Sequence, residues 1–356
     1  MKHSWVDYVK EYFHKLNQTY VDGRLDRVVS FFADDRTIAQ ELDRWSRERE
    51  QAFQRQIMPV ASKLQVTPIH YVVNQENEID ATFLIHQQMY YRQGDQTFLQ
   101  ENQRMQPVRM KQDKYGWAFV KPWGWYFHSE NLREQAEDDD DRVGNELDDD
   151  AGEIQEEISQ PVMVSPEIPN QSNSDDPSDG KVIPVATRPP YNRYKAVQYA
   201  EEHWNNYNPA YQKFENDCTS FVSQCLYAGG IPMIFTKNRG QGWWYKGSNW
   251  SYSWAVAHSL YLLLKSGKAP FYTTQASYPQ ELEIGDVICY DFNGDGRFQH
   301  NTFVVAKDFW GMPLVNAHTT DSYHRYWEYR DSSAYTPQIK YAFFRIYGDQ
   351  PPDFFF

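Results

Sequence analysis

The chain is poor in cysteine and has no long apolar run. Three cysteines in 356 residues, Cys218, Cys225 and Cys289, cannot form a disulfide framework. A low odd count fits a reducing compartment, where one of them is available as a working thiol. No stretch approaches the roughly 20 apolar residues of a membrane-spanning helix, and the opening MKHSWVDYVKEYFHKL lacks the basic-then-apolar order of a secretory signal. The expectation is a cytoplasmic protein without a membrane span; the alternative is the cell surface, reached by an export route not visible in the residues. Basic residues are also in deficit, 35 against 49 acidic, and a formal charge of −14 excludes a general nucleic-acid binder, which needs a basic face.

That charge is localised. Residues 134–190 hold 17 carboxylates against Arg142, Lys181 and Arg188, which accounts for the whole excess. The same stretch lacks aromatic residues and turns rich in Pro, Ser, Asn and Asp. Such a composition buries too little apolar surface to offset ordering entropy. Residues 133–189 are therefore expected to be an acidic, disordered linker, and a flexible coil of this length spans about 40 Å, enough to leave its two neighbours independently mobile. Elsewhere aromatic residues are abundant, 17% of the chain, which suits aromatic-rich cores or a groove for a stacking substrate.

Residues 1–132 read as an α+β domain. Trp5, Tyr8, Val9, Tyr12 and Leu16 recur at helical spacing, Leu25, Val28, Val29 and Phe32 form a second pattern, and a polar helix over Glu41–Gln56 leads to a strand near Val66–Val73. The period then changes to two, through Ala81, Phe83 and Ile85, Phe98–Met110 and Trp117–Tyr126, with turns at Gln93-Gly94-Asp95 and Lys114-Tyr115-Gly116. Helices before a meander resemble the curved-sheet cone of cystatin-like folds, a fold-level analogy that assigns no role. His70, His86 and His128 fall here without ligand spacing, and the domain's partner is unknown.

Residues 190–356 form a second folded unit, again α+β: helices over Arg193–Trp204, Cys218–Tyr227 and Trp254–Leu264, then strands over Asp286–Tyr290, Asn301–Ala306, Leu314–His318 and Tyr341–Ile346. In NDCTSFVSQCLYAGG, Cys218 follows a capping-type Asn216-Asp217 pair at the first turn of a helix. Free N–H groups and the dipole there favour a thiolate. Cys225, two turns on, and Cys289, inside a strand, read as core. A thiol nucleophile needs a base, and His300 opens an apolar strand from which an imidazole can face a helix N-terminus. Asn316 and His318 share one face of the next strand, so either can orient it. The Cys218 N–H is the natural oxyanion donor, completed by Asn216 or Tyr211. Trp243, Trp244, Tyr245 and Trp250, spaced by small residues, read equally as a substrate groove or as core. Asp291, Asn293 and Asp295 with Gly296 match the first half of a calcium loop, but the twelfth position is Thr302 instead of Glu, and a tight turn wants the same residues. No other cofactor is expected.

The runs AVQYAEEHWNNYNPAYQKFENDCTSFVSQCLYAGG, GDVICYDFNGDG, QHNTFVV and NAHTTDS resemble, in order and spacing, the "putative amidase domain" family of Firmicutes, a branch of the papain-like cell-wall amidases and peptidases. The resemblance covers about residues 190–350. It implies a papain-like fold with Cys218 as nucleophile, His300 as general base and His318 as the orienting residue, acting on a peptide amide such as that of a peptidoglycan stem peptide. Asn216 and Ser220 depart from the Gly and Asn of the family pattern. A domain that keeps this fold as an idle binding module, with residues 1–132 as scaffold, is the competing expectation.

Overall fold

The computed structural model describes residues 4–120, apart from 34, 75–77, 113 and 115, and residues 191–348. The acidic linker expected over 133–189, and His128, lie outside the described residues.

The chain is α+β, with helices preceding antiparallel strands in each half. Helix α1 (Trp5–Asp22) starts at a capping box in which Ser4 and Asp7 each accept the other's backbone N–H, and stops at Gly23, whose φ of 70° is left-handed. Its buried face, Val9, Tyr12, Phe13, Leu16 and Tyr20, follows helical spacing. Helices α2 (Asp26–Val29) and α3 (Asp35–Gln54) follow. Strands β1 (Ile57–Val73), β2 (Glu78–Gln93), β3 (Gln96–Gln112) and β4 (Trp117–Phe119) form the expected meander. In β2, Ile79, Ala81, Phe83, Ile85 and Met89 all turn to the helices, while their neighbours are less buried. β1 begins well before Val66, because its polar first half is carried by pairing with β2 from Ile57↔Gln93 onward.

In the second half, helices α4 (Arg193–His203), α5 (Cys218–Ala228), α6 (Tyr252–Ala255) and α7 (Ala257–Ser266) pack on one face of a sheet. Its strands are β7 (Thr273–Ala276), β8 (Val287–Asp291), β9 (His300–Lys307), β10 (Pro313–Ala317), β11 (Asp321–Tyr326) and β12 (Lys340–Ile346). A two-stranded ribbon, β5 (Tyr245–Lys246) and β6 (Asn249–Trp250), stands apart. The expected helix over Trp254–Leu264 is broken at Val256, whose extended φ/ψ of −107°/125° separates α6 from α7. The far face of the sheet carries a second core of Tyr290, Val304, Leu314, Trp327, Tyr329 and Phe343.

The two halves share one sheet. Its order is β1-β2-β3-β11-β10-β9-β8-β12-β7, with β4 beside β3, and the join is an antiparallel pairing of Asp321↔Gln103, Ser322↔Asn102 and Tyr323↔Glu101. Side chains reinforce it. Arg330 meets Glu50 at 2.9 Å and donates to Gln54 at 3.1 Å, Arg47 donates to the Arg330 carbonyl at 3.0 Å, and Gln51 donates to Glu328 at 3.1 Å. The expectation of independently mobile halves is thus overturned. An exposed strand edge seeks a partner, and β3 and β11 are each other's. Among the described residues no helix is long and apolar enough to cross a membrane. A shared sheet predicts one cooperative unfolding transition: urea curves read from probes placed in each half should coincide, and two separated midpoints would overturn the join.

Candidate active site

Cys218 is the first residue of α5, and every residue from Cys218 to Leu226 is buried, so this helix is the centre of its layer. The thiol is 3% exposed. Around it lie the Asn301 backbone N–H, the Thr219 hydroxyl at 3.7 Å and the Thr319 side chain. Thr319 has a φ of 81°, a strained value for a β-branched residue. Burial pushes the thiol up from its ordinary range, against the pull of these donors, and Asp217 adds to the rise. The expectation of a thiol lowered toward neutrality is therefore reversed, because desolvation outweighs the helix end.

Asp217 holds the N-cap position but makes no side-chain cap bond. One oxygen accepts the Phe214 N–H at 3.3 Å, and the other faces His318 Nδ1 at 2.6 Å. His318 Nε2 meets the His203 carbonyl at 2.7 Å, and the ring lies between Tyr207, at 4.0 Å, and Phe221, at 4.2 Å. Both ring nitrogens thus face acceptors. His318 is spent on Asp217 and α4 and does not orient His300. Asn316 is spent too, donating to the Ala200 carbonyl at 3.1 Å and accepting the His324 N–H at 2.8 Å.

Strand alternation decides where His300 points. Asn301 turns to the helix face, donating to Thr219 Oγ1 at 2.9 Å, so His300 turns to the other. There it packs against Tyr290, Phe292 and Tyr329, with Nε2 at 3.2 Å from the Tyr329 hydroxyl. Burial, helped by Arg325, lowers His300 to about 3, so it is neutral at physiological pH. The Tyr329 hydroxyl touches His300, and Tyr329 is near enough for the charge of a Cys218 thiolate to bear on it.

The remaining candidates divide. Asn216 sits half-buried in the turn before Asp217, and Tyr211 stacks on Trp254 and against Tyr245. Trp243 and Trp244 are buried, Trp243 donating to Ser223 Oγ at 3.0 Å, so neither lines a groove. Tyr245 and Trp250 are partly exposed, and Trp250 meets Phe214 edge-on beside the loop that leads to Cys218. Asp291, Asn293 and Asp295 lie in one turn, where the Asp291 carboxylate accepts the N–H groups of Gly294, Asp295 and Gly296 at 2.7–3.2 Å. That carboxylate organises the turn. Cys225 and Cys289 are core, as expected.

Residues 190–344 match the family model described as "Putative amidase domain". The segment that carries Cys218, His300 and His318 is thus the amidase-like part of the chain. Among relatives, the "Uncharacterized protein YhbB" of Bacillus subtilis (strain 168) is 60% identical over 159 residues, 45% of this chain and 51% of that protein. The "Uncharacterized protein YjcM" of the same strain is 30% identical over 141 residues, 37% of this chain and 31% of that protein. The chain thus spans about half or less of the length of these relatives. A solved structure, the intermembrane space region of the chloroplast protein ARC6, overlays 32% of this chain and 88% of that one with a TM-score of 0.25 and 9% identity.

Of Asp217, Asn301, Thr319 and Tyr329, only Asp217, adjacent to Cys218, carries a local signal in the sequence, and that signal reads as a cap. Two outcomes follow from this geometry. In a variant lacking Cys225 and Cys289, alkylation of Cys218 should accelerate with pH through a midpoint above that of an ordinary thiol; a midpoint near neutrality would contradict the burial argument. Asp217→Ala should lower stability to urea by about 3–5 kcal/mol, the cost of leaving one member of a buried pair alone.

Proposed function

We propose that residues 190–344 hydrolyse an amide bond by acyl transfer to Cys218. The observation that carries this reading is a thiol at the first turn of a buried helix, with the Asn301 N–H beside it and, within electrostatic reach, a tyrosine hydroxyl that touches a neutral imidazole. The thiol and His300 both rest uncharged, so the proton leaves sulfur as the substrate carbonyl arrives. His300 accepts it through the Tyr329 hydroxyl, which takes the thiol proton as it gives up its own. Sulfur bonds to the carbonyl carbon, and the Cys218 N–H receives the oxyanion. The proton then passes to the departing amine as the C–N bond breaks, and water hydrolyses the thioester. This sequence requires neither metal nor cofactor. His318 acts as a positioning residue, fixing Asp217 and hence the turn that presents Cys218.

The substrate class is a peptide amide, and the stem peptide of peptidoglycan is the proposed member, on the strength of the family likeness. The thiol's burial favours a second reading, in which the domain binds such peptides without cleaving them. Incubating the protein and Cys218→Ala with peptidoglycan and with stem peptides, then measuring new free amines by mass spectrometry, separates the two. Product from the parent alone, reduced at least about a hundredfold in Tyr329→Phe, supports the relay. Equal product from parent and Cys218→Ala overturns the nucleophile, and binding without product supports the idle module.

A further inference from the structure

A second concave site lies away from Cys218. Where the N-terminal sheet and α3 meet β11, a cavity of about 320 Å³ is walled by the aromatic rings of Tyr20, Trp45, Tyr91 and Tyr326 and by charged groups from both halves. This is at the small end of the range for ligand pockets. Most of the charges are already matched. Arg325 contacts both Asp331 oxygens, at 3.0–3.3 Å, and Arg44 binds Glu41 at 2.8 Å.

Arg55 Nε and Glu48 Oε2 are buried with no hydrogen-bond partner among the described residues. Arg55 is held by its plane, 3.7 Å above the Tyr326 ring, and its far end stands 3.7 Å from Asp308, so the Nε edge is left for another group. Glu48 stands 3.8 Å from Arg44, close enough for attraction but too far for a hydrogen bond. Burial is the main influence on the Glu48 carboxyl and holds it up at about 7, with Asp331 acting in the same sense against Arg44 and Arg325. A buried donor and a buried acceptor left unmet each keep the penalty of their lost hydration, which is larger when they are charged. A molecule that brings an acceptor to Arg55 and a cationic donor to Glu48, with an apolar body against the rings, removes both penalties at once.

We propose that this junction cavity is a binding site for a small zwitterion with an apolar side group, of amino-acid or dipeptide size, its carboxylate on Arg55 and its ammonium on Glu48. The site is separate from Cys218, and the proposal does not depend on the amidase reading.

Calorimetric titration of the full chain with the dipeptide Ala-Leu, its N-acetyl form and its C-terminal amide tests the assignment. The free dipeptide should bind, and each cap should weaken binding at least about tenfold. In Arg55→Gln the amide and free forms should bind alike, and in Glu48→Gln the acetyl and free forms should. Ala52→Phe, which fills space at the wall and leaves every charge in place, should abolish binding while thermal unfolding remains cooperative. Absence of binding by both Ala-Leu and free leucine at millimolar concentration, affinity indifferent to capping, or affinity unchanged in Ala52→Phe would each overturn the site. If a charge variant does not fold, the capping series and Ala52→Phe still decide.

Discussion

The pairing of β3 with β11 is the constraint on which the rest of the arrangement rests. β11 is bonded on both edges, to β3 through Asp321–Tyr323 and to β10 through Ser322, Arg325 and Tyr326. A strand bonded on both sides cannot slide without breaking two registers and exchanging its buried and exposed faces. The turn that joins β10 to β11 carries His318, Thr319 and Thr320, and the first two of these border Asp217 and Cys218. The N-terminal half therefore braces the wall of the thiol site. The same strand contributes Arg325 and Tyr326 to the junction cavity. Both sites hang on one register.

Two opposed effects meet at the Cys218 sulfur. A helix N-terminus stabilises an anion by about 0.3–1 kcal/mol in ordinary settings. Complete burial raises a thiol by as much as several pKa units, each about 1.36 kcal/mol. Magnitude decides the matter for burial, which is why the resting sulfur keeps its proton. The consequence for chemistry is that nucleophile and base do not form an ion pair in advance, and the substrate itself must complete the conditions for proton transfer. A polar amide entering beside the sulfur replaces part of the solvation that burial removed.

Local pattern made much of this fold readable. The apolar face of α1, the strict alternation of β2 and the helical start at Cys218 are properties of neighbours in sequence, and each left its period in the residues. What the residues could not disclose is pairing between distant segments. Asp217 and His318 are 101 positions apart, and nothing near Asp217 distinguishes a cap from a buried partner. The two-residue period of β9 was legible, but which of its faces meets α5 depends on packing, and that choice sends Asn301 to the thiol and His300 away from it. Trp243 and Trp244 sit among glycines that suggest a surface loop, yet Ser223 Oγ reaches the Trp243 indole N–H, which makes its burial affordable. The join of β3 to β11 left no local mark either, since a strand edge has no sequence signature of its partner.

Arg325 connects the two sites in an instructive way. Its guanidinium lies 3.7 Å over the Tyr329 ring and is held by Asp331, and it helps keep His300 uncharged. It also forms part of the cavity wall. Removing it would change both places at once: His300 would lose a neighbouring positive charge and become easier to protonate, Asp331 would lose its partner, and the cavity would lose one of its three arginines. A loss of function at either site would then have several sufficient causes. Arg55 and Glu48 differ in this respect. They border the cavity, Arg55 over Tyr326 and Glu48 near Arg44, so substitutions there, like Ala52→Phe, probe the junction without removing the charge beside His300. The physical boundary between the sites therefore runs between Arg55, which lies over the Tyr326 ring, and Arg325, which lies over the Tyr329 ring.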